Sequence, residues 1–186
     1  GIVDIIGGSF TGKGNQDATL YNGGQKMTVT GATVVGEYGF GICGEYNSET
    51  IIDNSHFNDS QRGIYVNDNG GYPKVVLNSA TFQNNRCDIY LAPERTITIA
   101  DTFTDRATVD VRERTITAPR PITTSSNPVK RNLVSNRAGY RVAYDESDGH
   151  YYLTPRTTGK FTVDAEDAKA VAEIDGVSTE LDANTE

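Results

Sequence analysis

The chain has 186 residues, enough for one domain, and combines 36% apolar residues with 19 glycines. Its net charge of −8 and pI of about 4.8 argue against nucleic acid as a partner, because phosphate backbones are bound by cationic surfaces. No apolar run approaches the roughly 18 residues of a membrane-spanning helix, so membrane insertion is not expected.

Residues 1–25 begin a pattern that later segments repeat with variations. Each copy holds a β-rich run, a corner that ends in an apolar residue, a turn of Asn, Asp and Gly, and a second β-rich run. The clear copies are 27–47, 50–68 and 75–93, and a shorter, more polar copy covers 96–114. A period of this length indicates a solenoid, in which each unit stacks on the next.

Two apolar columns recur once per copy. The first is Phe10, Val34, Phe57, Phe82 and Phe103, at steps of 21 to 25 residues. The second is Leu20, Ile42, Ile64, Ile89 and Val109. Parallel strands lie about 4.8 Å apart and align equivalent residues. We therefore predict an all-β fold, a parallel β-helix of about five to six coils with both columns inside.

The period ends after residue 114. Residues 115–130 contain three prolines and no residue that continues either column. Two β-rich runs follow, 139–147 and 150–155, with a Ser-Asp-Gly turn between them. They predict an antiparallel β-hairpin, which would cover the strand edges at the end of the solenoid.

The two cysteines occupy different columns. Cys43 directly follows Ile42, whereas Cys87 lies two residues before Ile89. A disulfide between them is therefore not predicted. A metal site is not predicted either, because no cluster of histidines lies nearby, and no cofactor is expected.

An enzyme acting on polysaccharides would need paired carboxylates, or acids beside a base. The candidates on the repeats are Glu45, Asp53, Asp59, Asp68, Arg62 and His56. Only Glu45 and Asp68 come close in register, and acids in such turns commonly bond backbone amides. His56 precedes Phe57 and is expected on the outer surface. We predict no catalytic residues and keep a polysaccharide-active β-helix as the alternative.

An outward column follows the second apolar column. Tyr21, Cys43, Tyr65 and Tyr90 each come one residue after an inward residue, so alternation points them away from the core. Further tyrosines lie in the adjoining turns: Tyr38, Tyr46 and Tyr72. Exposed tyrosines on a rigid face suit sugar rings or a protein partner. The alternative is that stacked tyrosines pack against each other on the sheet surface.

Basic residues gather late in this acidic chain: Arg106, Arg112, Arg114, Arg120, Lys130, Arg131, Arg137 and Arg141. Of these, Arg112, Arg114 and Arg131 are predicted to bind a sialylated or sulfated glycan or an acidic protein surface. The alternative is a solvated face whose arginines pair with neighbouring acids.

Five segments carry a resemblance to a known family: GGSFTG (7–12), GIYVND (63–68), NSATFQNN (78–85), DIYLAPERTITI (88–99) and GYRVAYDESDGHYYL (139–153). Together they resemble the right-handed β-helix repeats of adhesin-like surface proteins of gut Firmicutes. The resemblance implies right-handed coils and an extracellular protein, secreted or attached to the cell wall. It brings no catalytic motif.

The resemblance implies a non-catalytic binding module that engages a host surface or secreted protein, such as immunoglobulin or mucin, or a host glycan. A structural spacer is a further alternative. The chain would be a monomeric fragment of a longer multi-repeat protein. Residues 1–160 would form the β-helix with its hairpin cap. Residues 161–186 would be an acidic linker or the start of a following unit, because AVAEIDGVSTELDAN resembles an entry motif of that family.

Overall fold

The structure is a computed structural model that describes residues 1–15, 17–124, 131–156, 159–164, 169–174 and 177–181, the last three ranges as backbone only. The chain divides into two compact units, one of residues 1–154 and one from Pro155 onward. The first unit is a parallel β-solenoid of about five turns, as the repeat predicts.

Three parallel sheets form the solenoid, with strands numbered in chain order. Sheet A contains β1 (Ile2–Ile6), β4 (Lys26–Thr30), β7 (Glu49–Asp53), β10 (Lys74–Leu77) and β13 (Thr98–Ile99). Sheet B contains β2 (Ser9–Thr11), β5 (Thr33–Val35), β8 (Ser55–Asn58) and β11 (Ala80–Gln83). Sheet C contains β3 (Ala18–Gly23), β6 (Phe40–Glu45), β9 (Arg62–Val66), β12 (Ile89–Leu91), β14 (Ala107–Val111) and β16 (Leu133–Ser135).

Both predicted apolar columns are confirmed as internal ladders. In sheet B, Phe57 aligns with Val34 on one side and Phe82 on the other, and the two phenyl rings stack with centroids 5.7 Å apart. In sheet C, Ile64 aligns with Ile42 and Ile89. Phe57 and Ile64 are fully buried. The core therefore runs along the axis as stacked slices, one from each coil.

Sheet A supplies a third internal ladder that the sequence analysis did not identify. Its members are Val29, Ile52, Leu77 and Ile99, all buried. A second inward position on these strands holds the polar Thr50, also fully buried, between Met27 and Val75. Asn22 Nδ2 donates to Thr50 Oγ1 at 2.9 Å, which satisfies the hydroxyl inside the core.

The corner between sheets A and B has the same backbone conformation on three coils. Gly7, Gly31 and Asn54 follow strands β1, β4 and β7 and have φ angles of 67°, 66° and 44°. Glycine and asparagine tolerate this left-handed region better than other residues. The corner therefore explains why the repeat carries a small or Asn residue there.

The predicted C-terminal hairpin is confirmed and gains a third strand. Its strands β17 (Tyr140–Asp145) and β18 (His150–Pro155) join β15 (Arg120–Pro121) in a small antiparallel sheet. The second unit contains a separate antiparallel sheet of β19 (Gly159–Asp164), β20 (Lys169–Ile174) and β21 (Val177–Leu181).

Candidate functional site

The predicted outward column has the expected register but is less exposed than expected. Tyr21, Cys43, Tyr65 and Tyr90 align across β3, β6, β9 and β12. Tyr21 is 52% exposed, whereas Tyr65 is only 6% exposed and Cys43 is buried. The expectation that Tyr65 is exposed is therefore wrong, and the alternative of self-packing describes it better.

Tyr65 belongs to a second apolar cluster, on the outer face of sheet C. Its ring centroid lies 5.0 Å from that of Phe40 and 5.5 Å from that of the half-buried Tyr90. The guanidinium carbon of Arg62 lies 3.8 Å from the Tyr90 centroid, and Arg112 Nη1 donates to the Tyr65 hydroxyl at 3.2 Å. Arg62 of the same strand as Tyr65 and the distant Arg112 thus cover these rings and reduce their exposure to solvent.

Three other tyrosines are exposed along the edge where sheet C turns into sheet A. Tyr21 is 52% exposed, Tyr46 is 42% exposed and Tyr72 is 70% exposed. Tyr21 lies in β3 two residues before its end, Tyr46 lies in the turn after β6 and Tyr72 lies in the loop after β9, so one comes from each of three successive coils. We call Tyr21, Tyr46 and Tyr72 the tyrosine edge.

Two of the three rings of the tyrosine edge, those of Tyr46 and Tyr72, are supported from below. A Cβ added at Gly70 would lie 2.5 Å from Cδ1 and 2.6 Å from Cε1 of Tyr46, so this ring lies directly against the Gly70 backbone. The Tyr72 ring lies 4.0 Å from the guanidinium carbon of Arg95. Arg95 is buried, and its Nε has no hydrogen-bond partner among the described residues. Tyr72 therefore helps to cover a buried cation.

Hydrogen bonds connect the three coils of the tyrosine edge. The Tyr21 hydroxyl donates to Glu45 Oε2 at 2.8 Å, and Glu45 directly precedes Tyr46. The backbone N–H of Tyr72 donates to Asn47 Oδ1 at 3.1 Å, and Asn47 directly follows Tyr46. The three tyrosines thus form one surface whose parts are fixed to each other.

Glu45, a candidate acid in the sequence, is a buried acceptor at this edge. It is 8% exposed, and besides Tyr21 it accepts from Asn67 Nδ2 on Oε1 and from Asn69 Nδ2 at 3.0 Å on Oε2. The hydrogen bond to Glu45 and partial burial raise the pKa of Tyr21 to about 12, so that phenol stays neutral and remains a donor at neutral pH. Both carboxylate oxygens already have donors.

The other candidate acids are engaged elsewhere. Asp68 forms an ion pair with Arg112, and Asp53 Oδ1 accepts from Ser79 Oγ at 2.8 Å. Asp59 has a φ of 50° at a corner of the coil, as expected of a turn residue. His56 is exposed on β8, as predicted.

Most of the described residues of the late basic group are paired with acids. This matches the alternative in which the arginines pair with neighbouring acids on a solvated face. The ion pairs are Arg112 with Asp68, Arg120 with Glu113 at 3.0 Å, Arg131 with Asp101 at 3.0 Å and Arg137 with Asp110 at 2.9 Å. Arg114 is exposed, and Lys130 lies outside the described residues. The arginines of this group chiefly neutralise carboxylates and cap carbonyl groups.

A polar groove follows a different edge, where sheet B turns into sheet C. Three adjoining hollows of about 180, 210 and 440 Å³ share Gln61 in their walls. Arg62 and Arg86 each line two of them. The remaining lining residues are mainly amides, tyrosines and acids: Asn15, Glu37, Tyr38, Phe40, Asp59, Ser60, Asn84, Asn85, Cys87, Tyr90, Asp110 and Asn136.

We call the hollows around Gln61, Arg62 and Arg86 the arginine groove. Arg62 was predicted only as a basic partner for acids, and neither Gln61 nor Arg86 was predicted as a site residue. The signal was present in the register, because the pairing of Ile64 with Ile89 places Gln61 level with Arg86 on the next coil.

Within the part of the chain whose side chains are described, no group of three or more His, Cys, Asp or Glu residues could hold a metal ion. Among the described residues there is no helix with the length and apolar character that crossing a membrane requires. Comparisons with protein-family models, with curated proteins and with solved structures gave no match to this chain.

Proposed function

We propose that this β-solenoid is a non-catalytic binding module of a bacterial cell-surface protein of the adhesin-like kind, displayed outside the cell. Its ligand is a host glycan, of the kind carried by mucin or immunoglobulin, and the tyrosine edge is the contact surface. The proposal joins the resemblance of the repeats to the geometry of this edge.

The observation that carries the proposal is that three tyrosines on successive coils are exposed and that the rings of two of them are supported by the residues beneath. An aromatic ring offers a broad face to a sugar ring, and a tyrosine loses little conformational entropy on binding. Tyr46 lies against Gly70 and Tyr72 against Arg95, so both rings are ordered before a ligand arrives. Such preorganisation lowers the free-energy cost of binding.

The absence of a catalytic role is supported by the state of Glu45. A general acid or base must reach the proton that it transfers. Glu45 is buried, and its oxygens accept hydrogen bonds from Tyr21, Asn67 and Asn69. Asp68, the nearest acid in register, is paired with Arg112.

The test is a screen of the purified protein on an array of host glycans that also carries mucin and secreted immunoglobulin, each before and after enzymatic removal of its glycans. We expect saturable binding to a glycan and to the glycosylated proteins, with loss of the protein signals after deglycosylation. The Tyr46→Ala/Tyr72→Ala double variant should bind at least about tenfold more weakly.

His56→Ala is the matched control, because His56 is exposed on sheet B, away from the tyrosine edge. It should bind like the native protein. If no glycan or protein on the array binds, the proposal of a binding module is wrong and the structural spacer is favoured instead. Release of new reducing ends from a bound glycan would instead support the polysaccharide-active alternative.

A further inference from the structure

Two arginines line the arginine groove without an acidic partner among the described residues. Arg62 and Arg86 form no ion pair with any carboxylate among the described side chains. Asp110 lines the same hollow as both arginines but is paired with Arg137 Nε at 2.9 Å. In the hollow of about 210 Å³ that both arginines line, this already paired carboxylate is the one acid among the described lining residues, so the hollow has a local excess of positive charge, whereas Glu37 and Asp59 line the adjoining hollow of about 440 Å³.

Arg62 is held in place by aromatic rings rather than by a carboxylate. Its guanidinium carbon lies 3.8 Å from the centroid of Tyr90, 5.0 Å from that of Phe40 and 5.3 Å from that of Tyr65. Stacking on rings fixes the plane of a guanidinium and leaves its N–H groups available at the edges. Arg62 is therefore preorganised for an acceptor that the described part of the chain does not supply.

Arg86 provides the second positive charge of the groove. It is exposed, and the backbone N–H of Arg86 donates to the Ser60 carbonyl at 2.9 Å, which fixes this position against the preceding coil. Arg62 and Arg86 line the same hollow of about 210 Å³. A ligand in that hollow would contact both Arg62 and Arg86.

The remaining walls suit a sugar chain better than a flat or apolar ligand. Side-chain amides of Gln61, Asn84 and Asn136 offer both donors and acceptors, as hydroxyl groups require. Tyr38, 64% exposed, provides an aromatic face at the adjoining hollow. Lining residues come from successive coils, so the groove extends along the axis and can follow an extended chain.

We propose that the arginine groove is a second ligand site, which binds a carboxylated glycan by pairing its carboxylate with Arg62 and Arg86. Arginine recognises carboxylates through paired N–H donors, and charge-assisted hydrogen bonds are stronger than neutral ones. This inference rests on the proposed function only in taking the ligand to be a glycan. It uses a different surface and a different chemistry from the tyrosine edge.

The test measures binding of two acidic probes, each with a matched neutral form. An oligogalacturonate is compared with its methyl ester, and sialyllactose is compared with lactose, by isothermal titration calorimetry on the whole chain. We expect at least one acidic probe to bind about tenfold or more tightly than its neutral form, and added salt to weaken that binding. The preferred acid distinguishes a uronate chain from a terminal sialic acid.

Arg86→Gln should weaken binding of the acidic probe about tenfold, because a charge-assisted hydrogen bond is lost from an exposed side chain. Arg62→Gln should do the same, but it also removes the stacking on Tyr90, so the exposed Arg86 carries the decisive comparison. Lys74→Gln is the charge-matched control, since Lys74 lies on sheet A and pairs with Glu49 at 2.9 Å. It should leave the affinity unchanged.

Equal binding of acidic and neutral probes, binding of neither, or an affinity that Arg86→Gln leaves unchanged would each overturn the proposal. The Tyr46→Ala/Tyr72→Ala variant separates this site from the tyrosine edge. If the groove is an independent site, that variant keeps its affinity for the acidic probe even when the array signal is lost. The two proposed sites can therefore be tested independently, and a negative result for one does not affect the interpretation of the other.

Discussion

The hydroxyl of Tyr21 donates a 2.8 Å hydrogen bond to Oε2 of Glu45, one coil further along the solenoid. Tyr21→Phe removes this donor from a buried carboxylate and leaves Asn67 and Asn69 in place. We expect the free energy of unfolding in urea to fall by about 1 kcal/mol.

Tyr38→Phe is the matched control for Tyr21→Phe. The Tyr38 side chain is 64% exposed, and no hydrogen bond of its hydroxyl with another described residue is found. Its removal should change stability by less than about 0.5 kcal/mol. Equal effects of the two variants would mean that the bond to Glu45 contributes nothing to the fold.

Gly70 determines where the Tyr46 ring lies. Gly70→Ala places a methyl group 2.5 Å from Tyr46 Cδ1 and also strains a backbone whose φ is 73°. We expect a loss of about 1 kcal/mol in stability and weaker binding at the tyrosine edge, since the ring must move.

Gly139→Ala is the control that introduces backbone strain without displacing a neighbouring ring. Gly139 has a φ of 77°, and nothing lies within 4 Å of an added Cβ. This variant should lose similar stability and retain native affinity on the array. Native affinity in Gly70→Ala as well would show that the position of the Tyr46 ring does not matter for binding.

Phe57 occupies the centre of the sheet B ladder. Phe57→Ala removes a fully buried ring that stacks on Phe82 at 5.7 Å, so the free energy of unfolding should fall by about 3 to 5 kcal/mol. The neighbouring His56→Ala changes an exposed side chain and should stay within about 0.5 kcal/mol of the native value. Chemical denaturation of both variants checks the ladder, and comparable losses would contradict it.

Burial raises the pKa of the Cys43 thiol and of the Cys87 thiol from the ordinary value of 9.0 to about 12. Because the thiolate is the reactive form, both cysteines should resist iodoacetamide at pH 8 in the native protein and react after unfolding in urea. Counting alkylated sites by mass spectrometry checks this. Rapid native labelling of both sites would contradict their burial.

The same pKa shifts predict how stability depends on pH. Above pH 9 the thiols of the unfolded chain lose their protons while those of the folded chain keep them, so the unfolded state is favoured increasingly. The free energy of unfolding should be unaffected by the thiols below pH 9 and should fall from pH 9 to about 12. Cys87→Ala should flatten this fall, and an unchanged slope in that variant would contradict the assignment.

The sequence predicted the solenoid and two of its ladders because stacked coils repeat inward residues at nearly constant spacing. The sheet A ladder was missed although Val29 and Ile52 are aligned in it. On these strands a second inward position holds Thr50, which is polar and therefore interrupts the alternation of apolar and polar residues. The burial of Thr50 depends on a hydrogen bond from Asn22, 28 residues away, which the repeat period does not reveal.

Alternation also could not predict which outward tyrosines remain exposed. It gives the side of the sheet on which Tyr65 lies, and this was correct. The burial of Tyr65 depends on Arg62 of the same strand and on Arg112, which is 47 residues away in sequence. A contact as distant as that of Arg112 is not encoded in a local pattern. Tyr72 in the loop after β9 is therefore a better site for a binding test than Tyr65.

The most direct measurement is the affinity of the Tyr72→Ala and Tyr72→Phe variants for the glycan selected on the array. Both variants keep the backbone bond to Asn47, and only Tyr72→Phe keeps a ring over Arg95. A tyrosine edge that binds through its ring faces predicts native-like affinity for Tyr72→Phe and at least about tenfold weaker binding for Tyr72→Ala. Native affinity in a folded Tyr72→Ala protein would contradict the account.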